Sequence, residues 1–267
     1  MNLSGKTVLL SGASKGLGRE LALQLDARGC RLLLVARDIA SLDSLQQLLQ
    51  TPGTRPFPCD LSDGSARTRL VEQIHALETR LDLLIHCAGV GSHSRLDQLT
   101  SDEIRFVLEV NTIAPLELTA GLLSLLPPGE AAGVVFIGSL AGELALPGMS
   151  LYSAGKAASH TFSQAAAVEL ACAGHFSLLV ILGALRGTQF ASSIRHAADS
   201  QPGWYRRLDV DSDEAAARII RAVEQQRSRL VIPAWYGGLL TLSRLFAPLT
   251  HVATRRLYKR FRARPGR

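Results

Sequence analysis

A tyrosine and a lysine stand four residues apart in the stretch Tyr152-Ser-Ala-Gly-Lys156, inside a predicted helix. Residues at this spacing lie on one face of a helix, about one turn from each other. The pKa of a free tyrosine is about 10, and a nearby ammonium group lowers that pKa because it favours the phenolate. The pair can therefore donate a proton to a carbonyl oxygen during a reduction, or accept one in the reverse direction. The same spacing also occurs by chance on amphipathic helices.

Two further polar residues stand where they can take part in such a reaction. Ser139 follows the apolar run Val134–Ile137, and a hydroxyl at the end of a strand can hold a substrate oxygen as negative charge develops on it. A serine that only caps the strand is the alternative. Asn111 lies within a predicted helix, four residues ahead of Pro115. This position predicts a distorted helix in which the Asn111 amide forms a hydrogen bond to a water or to a backbone carbonyl. An asparagine that only satisfies the kink is the alternative.

A glycine-rich segment, SGASKGLG from Ser11 to Gly18, follows the short apolar run Thr7–Leu10. Glycines at this point let the chain turn tightly and approach a pyrophosphate, whose charge the N-terminus of the following helix favours. Tight packing between strand and helix is the alternative. The predicted cofactor contacts in this turn are Gly12, Ser14, Lys15, Gly16, Leu17 and Gly18.

The end of the second predicted strand indicates which dinucleotide would bind. An acidic residue there favours NAD, whereas an arginine accommodates the 2′-phosphate of NADP. Arg37 stands at this position and can pair with a phosphate, and Lys15 adds a second positive charge. We therefore predict NADP (NADPH). The alternatives are that Arg37 pairs with Asp38 in solvent, or that Asp38 takes the ribose hydroxyls.

Strands and helices must alternate along the chain to position these residues. The predicted strands are Thr7–Leu10, Arg31–Val35, Arg55–Pro58, Leu81–Ile85, Val134–Ile137, Ser177–Leu182 and Leu230–Ile232. The predicted helices are Gly16–Arg28, Ile39–Leu49, Ser62–Leu77, Ser101–Leu126, Ser150–Ala173 and Ser212–Gln226. This alternation predicts an α/β fold, a doubly wound parallel sheet with helices on both faces, which binds ligands at the carboxyl ends of its strands.

Composition excludes several other classes of protein. The 267 residues are 47% hydrophobic, enough for one large α/β domain or at most two small ones. Four scattered cysteines form no Cys-x-x-Cys pair, so neither a disulfide framework nor a metal site is expected. The sequence shows neither a signal-peptide core nor an apolar run of about eighteen residues, so we expect a cytoplasmic protein.

The net charge of +6 is unevenly distributed. Ten lysines and arginines and no acidic residue follow Glu224, so residues 1–224 carry a net charge of −4. The basic charge therefore belongs to the tail. Because the body of the protein is not basic, binding to nucleic acid is not expected.

Together these residues resemble the motifs of the short-chain dehydrogenase/reductase family, from about Lys6 to Ile232. The family's glycine motif, Thr-Gly-x-x-x-Gly-x-Gly, is similar to Ser11–Gly18, with serine in place of the leading threonine. Tyr152 and Lys156 match the family's Tyr-x-x-x-Lys, and Ser139 matches its active-site serine, which stands thirteen residues earlier. Asn111 matches its active-site asparagine, and Asp60 with Leu61 matches its adenine-side Asp-Leu.

The resemblance implies a single Rossmann-type domain with about seven parallel strands, usually in a homodimer or homotetramer, and hydride transfer between a nicotinamide and a carbonyl or alcohol carbon. It implies that Tyr152 is the general acid and base, and that Lys156 lowers the pKa of Tyr152 and holds the nicotinamide ribose. It further implies that Ser139 orients and polarises the carbonyl and that Asn111 connects Lys156 to a proton-relay water.

The resemblance also bears on the cofactor. Basic residues at the positions of Lys15 and Arg37 mark the family's NADP-preferring members. The family's threonine that contacts the nicotinamide carboxamide is similar to Thr188, although here it follows Leu182-Gly183 one residue late.

One segment departs from the family pattern. His86-Cys87-Ala88-Gly89 stands where the family has Asn-Asn-Ala-Gly. The small pair Ala88 and Gly89 still lets the backbone approach the cofactor. The lost asparagines pin neighbouring strands, so the departure concerns the stability of the sheet more than the chemistry.

Two regions lie outside these motifs. The stretch from Gln189 to Asp211 stands where the family has its substrate lid, and Phe190, Trp204 and Tyr205 predict an apolar pocket or a lid packed on the core. Residues 234–267 form an extension beyond a domain of residues 1–233.

The extension has apolar residues at helical spacing among basic ones. This predicts a basic amphipathic helix that contacts an anionic membrane surface, and a helix at a subunit contact is an equal alternative. The apolar positions are Leu239, Leu242, Leu245, Phe246, Leu249, Val252, Leu257 and Phe261.

These observations favour an NADP(H)-dependent oxidoreductase that acts on the carbonyl or alcohol of a hydrophobic ketone, acyl or lipid-like substrate. The alternative is a cofactor-binding regulatory protein of the same fold without turnover. The set of Asn111, Ser139, Tyr152 and Lys156 favours the enzyme, because a binding role alone would not require all four.

Overall fold

The computed structural model of the protein describes residues 1–128, 132–144, 146, 148–186 and 210–246. Its strands, numbered β1 to β9 along the chain, are Thr7–Ser11, Arg31–Ala36, Arg55–Pro58, Leu83–His86, Gly133–Ser139, Phe176–Leu182, Leu185–Arg186, Val210–Asp211 and Arg229–Ile232. Seven of them form one parallel sheet in the order β3-β2-β1-β4-β5-β6-β9. The predicted parallel α/β sheet is confirmed, and the strand order reverses between β1 and β4.

Helices cover both faces of the sheet. Numbered α1 to α8, they are Gly16–Asp26, Ile39–Gln46, Gly64–Leu77, Ser101–Leu108, Ala114–Leu122, Ser150–Cys172, Ser212–Glu224 and Tyr236–Leu245. The buried side chains of α1, α2 and α7 pack into one core, and those of α3, α5, α6 and α8 pack into the other. This is the doubly wound architecture that the alternation of elements predicts.

The strands are buried on both faces, as a parallel sheet between two helix layers requires. In β1, Val8 and Leu10 belong to the core beneath α1, whereas Leu9 belongs to the opposite core. Successive side chains of a strand point to opposite faces, so an uninterrupted apolar run supplies both layers.

The predicted helix Ser101–Leu126 is present as a continuous but irregular helical run over Ser101–Leu125. α4 ends at Leu108, a π-helical turn spans Glu109–Ile113, and α5 begins at Ala114 and is followed by a short 3-10 turn. Pro115 has no backbone N–H, so the carbonyl of Asn111, four residues earlier, cannot accept the regular helical hydrogen bond. Instead the N–H of Ala114 donates to the carbonyl of Glu109, five residues earlier.

Some predicted element ends also differ. The strand expected from Leu81 begins at Leu83, because Leu81 donates to Leu125 O at 2.8 Å and the Asp82 carboxylate accepts from Thr7 N at 2.9 Å. The helix expected from Ser62 begins at Gly64, because the preceding Asp63 caps it. The two-residue strands β7 and β8, which pair in parallel, were not predicted.

The run from Ser101 to Leu125 is apolar and long enough to cross a membrane by length and composition alone. Core helices of soluble proteins pass the same test. Here α4 and α5 pack against α6, and α5 also packs against α3.

Candidate active site

Residues from distant parts of the chain meet at the carboxyl ends of the central strands. One cavity there is lined by Ser11, Leu61, Ala88, Asn111 and Lys156, among others. The cavity lies beside the point where the strand order reverses between β1 and β4, and parallel α/β sheets bind their ligands at such a point. The structure thus brings four predicted site residues, Leu61, Ala88, Asn111 and Lys156, to one place.

Glycine is required twice in the turn between β1 and α1. Gly12 has a φ of +72°, and a Cβ there would lie 2.7 Å from the backbone N and Cα of Ala88. A Cβ at Gly18 would lie 2.0 Å from the carbonyl oxygen of Gly12. Within the described structure, the side chain of Lys15 makes no capping hydrogen bond to α1. The first N–H groups of α1 are therefore available to an anion.

Ser11, which received no role from the sequence, connects β1 to the segment after β4. Its hydroxyl accepts hydrogen bonds from Cys87 N at 3.2 Å and Ala88 N at 3.3 Å. Nearby, His86 Nε2 lies 2.9 Å from the hydroxyl of Thr119. These contacts join neighbouring segments where the family's asparagines are absent. The leading position of the glycine motif was the available signal for Ser11.

The ends of β2 and β3 carry the groups predicted to distinguish NADP from NAD. Arg37 is exposed directly after β2, and Asp38 caps α2 by accepting from Ser41 N at 3.4 Å. Hydrogen bonds from Ser41 lower the pKa of Asp38, and the charge of Lys15 lowers it further. The Asp38 carboxylate is therefore engaged with its own helix.

Asp60 and Leu61 follow β3, at the same edge of the sheet as Arg37, which follows β2. Burial raises the pKa of Asp60, but hydrogen bonds from the N–H and hydroxyl of Ser62, together with the charge of Arg37, lower it overall. Leu61 is buried and lines the cavity. The positive charge of Arg37, after β2, thus favours the ionised form of Asp60, after β3.

Lys156 is the charged group at the centre of the site. Its side chain is buried, and Nζ donates to the carbonyl oxygen of Ile137 at 2.9 Å. Burial lowers its pKa to about 8, and the neighbouring Cys87 opposes this shift. A Cβ at Gly89 would lie 3.4 Å from Nζ and 3.3 Å from Asn111 Oδ1. Gly89 therefore brings the backbone close to both residues.

Asn111 lies on the π-helical turn and is buried. Its Nδ2 donates to Val90 O at 2.8 Å and its Oδ1 accepts from Val90 N at 2.9 Å. The predicted distortion of the helix is confirmed, and the amide serves a backbone carbonyl as one of the two predicted options. Thr112, the next residue, donates to Gly155 O at 3.0 Å and ties the turn to α6.

Ser139 and Tyr152 complete the set of predicted reacting groups. Ser139 is the last residue of β5, and its Oγ accepts from Ala141 N at 3.2 Å. Its hydroxyl hydrogen is not used in that contact. Tyr152 is buried in the first turn of α6, one turn before Lys156. Of the other predicted residues, Thr188, most of the lid and the basic tail lie outside the described residues.

Comparison with known proteins gives the same fold. The sequence model of the short chain dehydrogenase family matches residues 6–199. Dehydrogenase/reductase SDR family member 7B of Xenopus laevis is 28% identical over 265 residues, covering 92% of this chain and 79% of that protein. A short-chain dehydrogenase from Sphingobium yanoikuyae, solved with NADPH, is 25% identical, with a TM-score of 0.74 and 98% of both chains covered. A short chain dehydrogenase/reductase from Burkholderia phymatum, solved with NAD, has a TM-score of 0.77 at 22% identity, covering 94% of this chain and 96% of that one, and shows the fold alone.

The parallel sheet and the glycine turn at the end of its first strand define a Rossmann-type fold. The chain belongs to the short-chain dehydrogenase family.

Proposed function

We propose that the protein is an NADP(H)-dependent carbonyl reductase, or an alcohol dehydrogenase in the reverse direction. The observation that carries the proposal is the buried ammonium of Lys156, one helical turn from the buried Tyr152. A buried charge costs stability, and a buried group with a shifted pKa in a cleft is typical of a catalytic site. A regulatory protein that only binds the cofactor would not need this arrangement.

The glycine turn fits a dinucleotide. Gly12 and Gly18 leave no room for side chains, and the uncapped start of α1 favours a negatively charged pyrophosphate. Ser14, Gly16 and Leu17 belong to the same turn. Asp60 and Leu61 would adjoin the adenine, and Ala88 and Gly89 would let the backbone approach the cofactor. When bound, the nicotinamide supplies the hydride.

Arg37 and Lys15 support the choice of NADP. Arg37 is exposed and presents a guanidinium that can bind a 2′-phosphate with two hydrogen bonds. Asp38, the residue that would favour NAD, is engaged in capping α2. Relatives of this fold have been solved with NADPH and with NAD, so the choice depends on these side chains.

In the proposed mechanism, Ser139 donates its hydroxyl hydrogen to the substrate carbonyl oxygen and orients the carbonyl. Tyr152 donates a proton to that oxygen as negative charge develops, and Lys156 lowers the pKa of Tyr152 through its positive charge. Asn111 holds the segment at Val90 and would help to connect Lys156 to a proton-relay water. Thr188 would contact the nicotinamide carboxamide.

We also propose a hydrophobic substrate and a membrane contact through residues 234–267, with residues 1–233 as the catalytic domain. Helix α8 buries Tyr236 and Leu240 in the core and exposes Leu239, Leu242 and Leu245. The sequence that follows carries seven of the ten lysines and arginines found after Glu224. An apolar face joined to basic residues favours an anionic lipid surface. We further propose a homodimer or homotetramer, and a subunit contact through the extension is the alternative to the membrane contact.

The test is turnover of NADPH and NADH by the purified protein on ketones ranging from small diketones to detergent-dispersed long-chain keto compounds. We expect NADPH-dependent turnover, a loss of about 10²- to 10⁴-fold in Tyr152→Phe, and unchanged NADPH binding in that variant. In Arg37→Ala we expect the preference for NADPH over NADH to fall about 10- to 100-fold.

Other outcomes would separate the parts of the proposal. Tight NADPH binding without turnover on any ketone would favour the regulatory alternative. Faster turnover with NADH in the wild-type protein would contradict the role of Arg37, and unchanged turnover in Tyr152→Phe would contradict the role of Tyr152.

A further inference from the structure

His160 lies one helical turn after Lys156, on the face of α6 that also carries Tyr152, and has no role in the mechanism above. Its side chain is buried. The ring nitrogen Nε2 accepts a hydrogen bond from the backbone N–H of Ser139 at 3.2 Å. The ring therefore touches the backbone of the residue proposed to hold the substrate oxygen.

Two glycines make room for this ring. A Cβ at Gly138 would lie 2.2 Å from His160 Nε2, and a Cβ at Gly142 would lie 2.6 Å from its Cε1. Both are distances that real Cβ atoms essentially never show. The segment around Ser139 thus has room for an imidazole only because residues 138 and 142 carry no side chain.

The contact with Ser139 determines which nitrogen of the neutral ring carries the hydrogen. Because the N–H of Ser139 is a donor, Nε2 must offer its lone pair, and the hydrogen lies on Nδ1. Nδ1 lies 3.4 Å from Oε1 of the buried Glu143, whose same oxygen lies 3.5 Å from Nη2 of Arg229. Glu143 follows β5 and Arg229 begins β9. The Glu143 carboxylate thus lies at ion-pair distance from Nδ1, to which the described residues give no hydrogen-bond partner.

Burial, together with the charges around His160, keeps the ring neutral, with the hydrogen on Nδ1. Burial lowers the pKa of His160 to about 4, against the opposing influence of Glu143, and Lys156 and Arg229 lower it further. The ring is thus neutral near neutral pH, and Nε2 remains an acceptor.

We propose that His160 is a positioning residue, which holds the Ser139 peptide in place so that the Ser139 hydroxyl points at the substrate oxygen. The Oγ of Ser139 accepts from Ala141 N, a contact that does not use the hydroxyl hydrogen, so the hydroxyl can donate to the substrate. A shift of this peptide would misdirect the hydroxyl, and small errors in such positions cost large factors in rate. The inference rests on the role proposed above for Ser139.

The first test compares His160→Leu, His160→Asn and His160→Gln, with the best ketone found for the wild-type protein. Gln can place an acceptor near the position of Nε2, whereas Leu has none and Asn is too short to reach it. We expect kcat to fall at least tenfold in His160→Leu and His160→Asn and to recover most of its value in His160→Gln, with the Kd of NADPH within about twofold throughout. His175→Gln, a change at another buried histidine that lies three residues after the end of α6, should leave kcat unchanged.

An unchanged kcat in His160→Leu would overturn the proposal. So would an equal loss in His160→Leu and His160→Gln, since packing alone would then explain it.

A second measurement does not depend on turnover. NMR hydrogen exchange should show the Ser139 amide protected in the wild-type protein and in His160→Gln, and at least tenfold faster in His160→Leu. Equal protection in all three proteins would overturn the proposal. If no ketone is reduced, the proposed function fails, and the exchange rates still decide whether His160 holds the Ser139 peptide.

Discussion

At the scale of single residues, Lys156 combines a structural cost with a chemical role. Its ammonium is buried and has one described hydrogen bond, to Ile137 O. Burial disfavours the charged form and lowers the pKa to about 8. The stability of the fold should therefore depend on pH through this one side chain.

We expect the free energy of unfolding of the wild-type protein to rise relative to that of Lys156→Met between pH 8 and 10.5. In this window the native lysine is neutral, while the unfolded lysine, with a pKa of 10.5, still binds a proton. The full change would be on the order of 3 kcal/mol. Urea unfolding of both proteins without cofactor, at pH 7 and pH 10, measures it. A difference between the two proteins that is equal at both pH values would contradict the prediction.

His86 should make the stability of the fold depend on pH in the acidic range, whereas Lys156 does so in the alkaline range. The Thr119 hydroxyl donates to Pro115 O at 2.7 Å, so it accepts from His86 Nε2, and Nδ1 is buried without a hydrogen-bond partner in the described structure. Burial lowers the pKa of His86 to about 3. Protonation is therefore resisted in the folded protein.

We expect acid to destabilise the wild-type protein more than His86→Asn. Below pH 6.5 the unfolded histidine gains a proton that the native one does not, so stability falls as the pH falls towards 3. Between pH 6.5 and 4.5 the loss would be about 2 to 3 kcal/mol. Urea unfolding at these two pH values tests this, and parallel losses in the two proteins would exclude His86 as the cause.

At the scale of elements, the turn between β1 and α1 depends on close backbone contact. Gly12 and Gly5 have nearly the same φ, +72° and +74°. A Cβ at Gly12 would meet the backbone of Ala88, whereas a Cβ at Gly5 would have nothing within 4 Å. The two glycines therefore separate the cost of the backbone conformation from the cost of the contact.

Gly12→Ala should weaken NADPH binding at least tenfold and lower the Tm well below that of Gly5→Ala. Gly5→Ala should cost only about 1 to 2 kcal/mol of strain at positive φ and leave binding unchanged. Calorimetric Tm values and NADPH titration of both variants provide the test. Equal effects on Tm and binding would mean that contact with Ala88 is not what requires Gly12.

At the scale of the whole molecule, the charge is divided between an acidic body and a basic end. Residues up to Glu224 carry −4 and the remainder carries +10. The exposed apolar residues of α8, Leu239, Leu242 and Leu245, lie next to this basic sequence along the chain. An exposed apolar face next to basic residues should bind anionic lipid more tightly than neutral lipid.

A chain that ends at Phe246 should lose binding to vesicles of anionic lipid and keep its Tm, because Tyr236 and Leu240 remain in the core. Co-sedimentation with anionic and with neutral vesicles measures this. A full-length variant with Arg255, Arg256, Lys259 and Arg260 changed to Gln is the matched control for charge and should also bind less. Undiminished binding of the shortened chain would refute a membrane contact through the basic sequence after Phe246, and a smaller oligomer on size exclusion would favour the subunit contact.

Much of the architecture could be read from local patterns. The apolar runs placed all seven strands of the main sheet, and the glycine spacing placed a tight turn after the first strand. Both depend on residues that are neighbours in the chain, since burial on two faces requires a continuous apolar run and a tight turn requires glycine. Pro115 likewise indicated a distortion near Asn111, although not that it takes the form of a π-helical turn.

The tertiary structure decided the contacts between distant segments. Which carbonyl Lys156 binds, how Asn111 reaches Val90 and why His160 touches Ser139 all depend on strand order and on how closely α6 packs against β5. These residues lie about 20 positions apart, and no local spacing encodes such distances. The sequence by itself therefore determined the types of groups and the elements that carry them, whereas packing decided which atoms meet, because it depends on all the neighbours at once.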